Sequence, residues 1–157
     1  MGLNHSHILL IGLPNSGKTH LLDFLTDEHA AGRPTDGIDE RFYQFENYVF
    51  KFVEYGGSTD WETLLNWDKR HYRCIYMIIR GSNAEAQERL LKVADALKNV
   101  PIVVLWNQFR PSVGEFQYPT GRRICTCTLN FDNSVECLEK LYRIFKWTAS
   151  VHSQLGV

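Results

Sequence analysis

Residues 12–19 read GLPNSGKT, which sets Gly12, Gly17, Lys18 and Thr19 in the spacing G-x-x-x-x-G-K-[ST]. Chains with that spacing form a loop whose backbone N–H groups cradle phosphate oxygens. The glycines let successive N–H groups converge where a side chain would intrude, and a helix N-terminus behind the loop adds a favourable dipole. In such chemistry Lys18 bridges the outer phosphates and the Thr19 hydroxyl holds Mg²⁺. Asn15, Ser16, Gly17 and His20 complete the candidate cradle through their backbone N–H groups, with His20 placed to meet the innermost phosphate.

Two further stretches have the residue types of a terminal-phosphate sensor. RPTDG (33–37) puts Thr35 in a polar loop, and VEYGG (53–57) ends an apolar run with an acid, Glu54, followed by two glycines. A nucleotide switch grips Mg²⁺ and the terminal phosphate with one Thr hydroxyl and one Gly N–H, and hydrolysis releases both loops. Thr35 and Gly57 are the candidates for those two contacts. Glu54 is the candidate that reaches the metal through water.

The elements that must position these residues follow from periodicity. SHILLIG (6–12) is a short apolar run closed by glycine, and KTHLLDFLTDEHA (18–30) places Leu21, Leu22 and Leu25 at helical spacing. Residues 40–55 alternate aromatic with polar around Glu46-Asn47, which predicts a hairpin with Tyr48, Phe50 and Phe52 on one face. CIYMII (74–79) and IVVLW (102–106) are nearly continuous apolar runs, as expected of parallel strands covered on both faces. A helix over about 82–98 separates them. A last strand at 123–129 precedes an amphipathic helix from 134 to about 151, whose inner stripe is read as Val135, Leu138, Leu141, Ile144 and Phe145. The order β-α-β-β-β-α-β-β-α predicts an α/β fold with a six-stranded, mostly parallel sheet and one antiparallel strand.

At 157 residues with 44% apolar content, the chain suits one domain over 1–157 with a core from about 6 to 152. Seventeen basic against eighteen acidic residues give no bulk charge to attract nucleic acid or an acidic membrane. Cys74, Cys125, Cys127 and Cys137 lack metal-type spacing and follow no secretory signal, so a cytoplasmic protein with reduced thiols is expected. Cys125 and Cys127 share one strand face, which reads as packing. No apolar run approaches the roughly 20 residues of a membrane span.

GLPNSGKT, PTDG (34–37) and EYGG (54–57), with a short hairpin between the last two, resemble the ADP-ribosylation factor branch of the small GTPases. That family pairs GL-x-x-x-GKT with PT-x-G in a first switch and D-x-GG in a second. The resemblance is strong from about residue 6 to about 80. It implies a small-GTPase-like P-loop fold, GTP or GDP with Mg²⁺ as ligands, and effector or scaffold proteins as partners through residues 34–68. Ile38 and Val53 would lie in the surface between the switches, and 58–67 would be the second switch.

Four departures from the family all fall on the nucleotide chemistry. Glu54 replaces the shorter Asp and keeps its reach to Mg²⁺ through water. Ser58 stands where the family carries the Gln that orients the attacking water, a positioning role that a short hydroxyl cannot fill. The base-reading N-K-x-D of the family becomes Asn107-Gln108-Phe109-Arg110. Arg110 offers only donors where guanine also presents donors. Each hydrogen bond lost to a charged acceptor costs about 1.5–3 kcal/mol, so guanine preference should fall by roughly two or more decades. Finally, only residues 108–123 separate Asn107 from the last strand, too few for a loop plus the usual fourth helix, which is therefore expected to be reduced or absent.

The expected function is a divergent GTP-binding switch or protein-binding module with weak or no hydrolysis. The alternative is a pseudo-GTPase that serves as a constitutive subunit of a larger assembly. A small-molecule kinase is disfavoured, because it needs an Arg-rich lid and the basic clusters are Lys69-Arg70 with Arg73, and Arg122-Arg123. Met1-Gly2-Leu3-Asn4-His5-Ser6 fits the N-myristoylation pattern, and a membrane is expected as a partner only if Gly2 is acylated. One such chain anchors marginally. Trp61 and Trp67 fall in the second-switch segment, where aromatics mark partner surfaces.

Because Ser58 cannot hold the attacking water, Ser58→Gln should accelerate single-turnover phosphate release from bound GTP. Wild-type turnover at or above that of the variant would show that another residue positions the water.

Overall fold

The computed structural model describes residues 2–26, 38–55, 60–81, 84–112 and 114–155. Six strands and four helices alternate along the chain: β1 (Asn4–Ile11), α1 (Lys18–Thr26), β2 (Ile38–Phe45), β3 (Tyr48–Tyr55), α2 (Trp61–Trp67), β4 (Tyr72–Ile79), α3 (Ala84–Ala96), β5 (Ile102–Asn107), β6 (Ile124–Leu129) and α4 (Ser134–Leu155). The strands form one sheet in the order β2-β3-β1-β4-β5-β6. The β2–β3 hairpin is antiparallel and every other pair is parallel. This is the α/β fold that the periodicity and the family resemblance predict.

Alternation of side chains along each strand builds two apolar layers. Ile8, Leu10, Phe50, Phe52, Tyr76 and Val103 face α1 and α4, where Leu21, Leu22, Leu141, Ile144 and Phe145 cover them. Leu9, Ile11, Val53, Ile75, Met77 and Val104 face α2 and α3, under Leu65, Leu90 and Val93. Because residues 8–11, 74–79 and 102–106 of β1, β4 and β5 are covered on both sides, these stretches are continuously apolar instead of alternating with polar residues. Tyr48 joins Phe50 and Phe52 on the first layer, as the hairpin pattern predicts, and Cys125 and Cys127 both pack against that layer.

Three expectations are corrected. Val135 and Leu138 are 68% and 50% exposed. The inner stripe of α4 is instead Cys137, Leu141, Ile144, Phe145 and Thr148, where a small thiol and a hydroxyl occupy turns at which larger apolar residues would be sought. Thr148 is buried because its Oγ1 shares a 2.6 Å hydrogen bond with the Tyr76 hydroxyl. Val53 is fully buried, because β3 lies inside the sheet between β2 and β1, and the hairpin presents Phe42 of the edge strand to solvent instead. α2 was not expected as a helix. Asp60 caps it by accepting from the backbone N–H groups of Glu62 at 3.1 Å and Thr63 at 3.4 Å.

The described residues between β5 and β6 contain no helix, in line with the short spacing. Phe116 covers this face, packing edge-on to Trp106 with ring centres 5.0 Å apart and to Tyr118 at 5.2 Å. The stretch is tied down by Gln117 N–H donating to Gln87 Oε1 at 3.0 Å, and by Arg122, which donates to the carbonyls of Val100 and Ala94.

Asp68 holds the end of α2 against the sheet. Its Oδ2 accepts from the hydroxyls of Tyr55 and Tyr72, and its Oδ1 accepts from the backbone N–H and guanidinium of Arg70, each at 3.0 Å. Arg70 also reaches Glu40 on β2 at 2.6 Å. Burial alone would raise the Asp68 carboxyl, but the Tyr72, Arg70 and Tyr55 donors together hold it below the usual aspartate range. A carboxyl lowered by folding contributes stability that is present above the ordinary Asp value of about 3.9 and lost as pH falls through its folded value. Asp68→Asn should therefore cost roughly 2 kcal/mol at neutral pH. In urea unfolding, the gap between wild type and variant should shrink as the pH is lowered below about 4.

Candidate functional site

The loop between β1 and α1 is shaped by close approaches that only glycine permits. A Cβ on Gly12 would sit 2.6 Å from Ser16 Oγ and 2.8 Å from the Ile78 carbonyl of β4. One on Gly17 would sit 2.6 Å from Asn107 Nδ2, and Gly17 has φ of +114°. Asn15 also takes a left-handed conformation, with φ of 65°. These conformations fold the loop back on itself, with Ser16 N–H on the Leu13 carbonyl at 3.2 Å, before α1 begins. The first four N–H groups of a helix have no intrahelical acceptor, so the start of α1 adds donors to the concavity. Ser16 Oγ is buried with no hydrogen-bond partner among the described residues. Thr19 and His20 are exposed on the first turn, and the His20 ring stacks on Phe131 with centres 4.4 Å apart.

Lys18 lies across the loop. Its Nζ donates to the Gly12 carbonyl at 2.6 Å and to the Leu13 carbonyl at 3.3 Å. Burial lowers its pKa, while the Glu54 carboxylate pulls the other way and Arg89 adds to the lowering. Glu54 ends up 8% exposed at the end of β3, in register with Leu10, two residues before Gly12. Burial raises its pKa against the pull of Lys18, with Asp39 adding to the rise. Lys18 and Glu54 are thus both partly buried in a setting that penalises their charges, an arrangement that an anion with its counter-cation would relieve.

Asn107, from the end of β5, donates its Nδ2 to the Ser16 carbonyl at 2.9 Å and is buried. The next three residues turn outward. Gln108 has φ of 75° and donates its N–H to the Leu129 carbonyl at 2.8 Å, while its side chain is exposed. Phe109 is 72% exposed, and Arg110 is exposed as well.

The structure thus brings together Gly12, Asn15, Ser16, Gly17, Lys18, Glu54 and Asn107, with Thr19 and His20 at the rim. Thr35, Gly57 and Ser58 lie outside the described residues. One contributor was missed in the sequence. Arg89 of α3 donates its Nη1 to the Gly12 carbonyl at 3.1 Å, and its guanidinium lies 4.9 Å from the centre of the Trp61 ring. The basic clusters weighed as a kinase lid have other partners: Arg70 is tied to Asp68 and Glu40, Arg73 is buried over Tyr48, and Arg122 binds backbone carbonyls. The sequence model of the ADP-ribosylation factor family matches residues 2–109, a span that takes in the loop, the hairpin, α2, α3 and β5.

The Asn107 carboxamide is bonded to the loop, so Asn107→Ala should weaken inorganic triphosphate and GTP by the same factor, roughly tenfold for one lost hydrogen bond to a buried carbonyl. Calorimetric titration of both ligands checks this. Loss confined to GTP would show instead that Asn107 reads the base.

Proposed function

The chain belongs to the ADP-ribosylation factor family of small GTP-binding proteins, and from that premise we propose that it holds its nucleotide chiefly by the phosphates and works as a protein-binding switch or module with weak or no hydrolysis. Family members bind GTP or GDP with Mg²⁺ and engage effector proteins. The observation that carries the reading is the contrast at the two ends of the site. The loop is complete and stitched in place, whereas residues 107–112 supply no carboxylate for a base and turn Gln108, Phe109 and Arg110 to solvent.

In this reading Lys18 meets the outer phosphates, and backbone N–H groups from Asn15 to His20 line the cradle. Thr19 would hold Mg²⁺, with Glu54 reaching it through water. The fit rests on the glycine-shaped loop and on the buried Glu54 carboxylate near Lys18. Mg²⁺, when bound, neutralises charge on the phosphates. Thr35 and Gly57 are assigned to the terminal phosphate on the sequence pattern alone. Base contacts fall to Asn107 and Gln108 through their backbone and are correspondingly unselective. The low turnover follows from Ser58.

The partner surface lies within residues 34–68. Trp67 is 67% exposed at the end of α2, and Phe42 is exposed on the edge strand beneath the Lys51 ammonium. Exposed aromatics of this kind anchor interfaces. A second apolar stripe of Val135, Leu138 and Tyr142 on α4, which meets the hairpin where Tyr142 packs on Phe45, favours the alternative of a constitutive subunit in an assembly. Among the described residues no helix is long and apolar enough to cross a membrane, and a cytoplasmic protein that meets membranes only through an acylated Gly2 fits the reading.

Titrating GTP, ATP and GMP in Mg²⁺ tests it. The triphosphates should bind decades more tightly than GMP, with GTP ahead of ATP by about tenfold or less. Guanine selectivity of several decades would overturn the phosphate-led reading. Nucleotide released from the purified protein on denaturation separates the two roles: GTP or GDP supports the switch or module, and an empty site supports the constitutive subunit.

A further inference from the structure

We propose that Arg89 is a second cation of the phosphate site, binding the terminal phosphate of a nucleoside triphosphate and coupled to α2 through Trp61. The inference rests on the reading of the loop as a nucleotide site and adds to it a residue from α3, an element that neither the loop motif nor the two switch patterns draws on.

The geometry starts at the Gly12 carbonyl, which accepts from two cations at once, Lys18 Nζ at 2.6 Å and Arg89 Nη1 at 3.1 Å. One carbonyl has lone pairs for both, but its partial charge cannot neutralise two full positive charges. Glu54 supplies one negative charge near Lys18. Around Glu54, Arg41 is bonded to Asp23 at 2.6 Å and lies 3.6 Å from Asp39, and the carboxylates of Glu62 and Glu85 act on Arg89. At the mouth of the loop two partly desolvated cations thus share a single carbonyl oxygen. Beside them lies a gap of about 20 Å³, floored by Leu10 and Ile11 of β1 and lined by Gly12, Lys18, Tyr55, Trp61 and Arg89. That is room for one water-sized atom, the scale of a single phosphate oxygen. A guanidinium and an ammonium set on one such gap match the outermost group of a polyphosphate, where negative charge is greatest.

Trp61 fixes where the guanidinium can go. Its ring lies against Arg89 at the first turn of α2, directly after the capping Asp60. A cation over an aromatic face keeps its charge while losing little mobility in the plane of the ring. When a terminal phosphate draws Arg89 toward the gap, the indole loses or changes that contact, and the start of α2 senses whether the outermost phosphate is present.

Arg89→Ala and Arg89→Lys, compared with wild type by calorimetric titration of MgGTP and MgGDP, test the proposal. The alanine variant should weaken GTP by about 10- to 100-fold and GDP by less than about threefold, with the lysine variant in between. Wild-type tryptophan fluorescence should differ between the GTP and GDP complexes, and Trp61→Phe should remove that difference. Equal weakening of GTP and GDP would make Arg89 a brace for the Gly12 carbonyl and overturn the proposal, as would unchanged binding of both. Wild type that binds neither nucleotide would overturn the phosphate-site reading itself. Binding by wild type with no GTP-selective loss in the variants would overturn only the role of Arg89. The variants' circular dichroism spectra and unliganded melting temperatures, unchanged from wild type, show that the comparison is between folded proteins.

Discussion

Everything at the mouth of this sheet depends on one hydrogen bond from a carboxamide to a carbonyl. Asn107 Nδ2 meets Ser16 O across 91 positions of sequence and fastens the tip of the loop to the end of β5. The bond demands that nothing stand between the two groups, which excludes a side chain at residue 17 and explains the 2.6 Å a Cβ there would leave. With the loop so held, its reversal at Asn15 and Gly17 becomes sustainable, Lys18 is directed back over Gly12, and α1 leaves in a fixed direction. The end of β5 is thereby committed to supporting the loop between β1 and α1. Asn107 also brings β5 within reach of β6, since the next N–H, from Gln108, closes on Leu129.

A second constraint works on the opposite flank. The β2–β3 hairpin is an appendage of β1, and α2 is connected to it through polar groups. Asp68, with its tyrosine and arginine donors, joins α2 to β3, β4 and, through Glu40, to β2. Hydrogen bonds to a charged acceptor are directional and short, so they specify one docking angle where apolar contacts alone would tolerate several. Trp61, at the other end of the same short helix, is held by Arg89. α2 is thus gripped by charge at both ends, with only Leu65 fully buried between them.

How much of this could be read in the chain follows from the range of each interaction. β4 and β5 were legible because burial on both faces makes them continuously apolar, the hairpin because its residues alternate, and the loop because its glycines answer to local sterics. The lack of a helix after β5 was legible from length alone. α2 was not, since seven residues give too little periodicity and only Asp60 marks its start. The inner face of α4 was misread because Cys137 and Thr148 occupy it through small size and a hydroxyl bond, while the more hydrophobic Val135 and Leu138 face solvent. Val53 was placed on a surface that its strand's interior position removes. Arg89 left no local mark, because its acceptor lies 77 positions away. The cover that Phe116 gives Trp106 is likewise a tertiary fact.

The order of the sheet also has a consequence for the newborn chain. β1 is made first yet sits between β3 and β4, so both its edges stay open until residues 48–55 and then 72–79 have emerged. The loop motif is complete by Thr19, but the carboxamide that fastens it arrives with Asn107. At about 5–20 residues per second the interval is roughly 4–18 s of synthesis. During that time the ribosome carries a chain with the phosphate sequence and without the phosphate site. The loop can be fastened only after two-thirds of the chain exists, so until then the early strands are covered by chaperones or by their own hairpin.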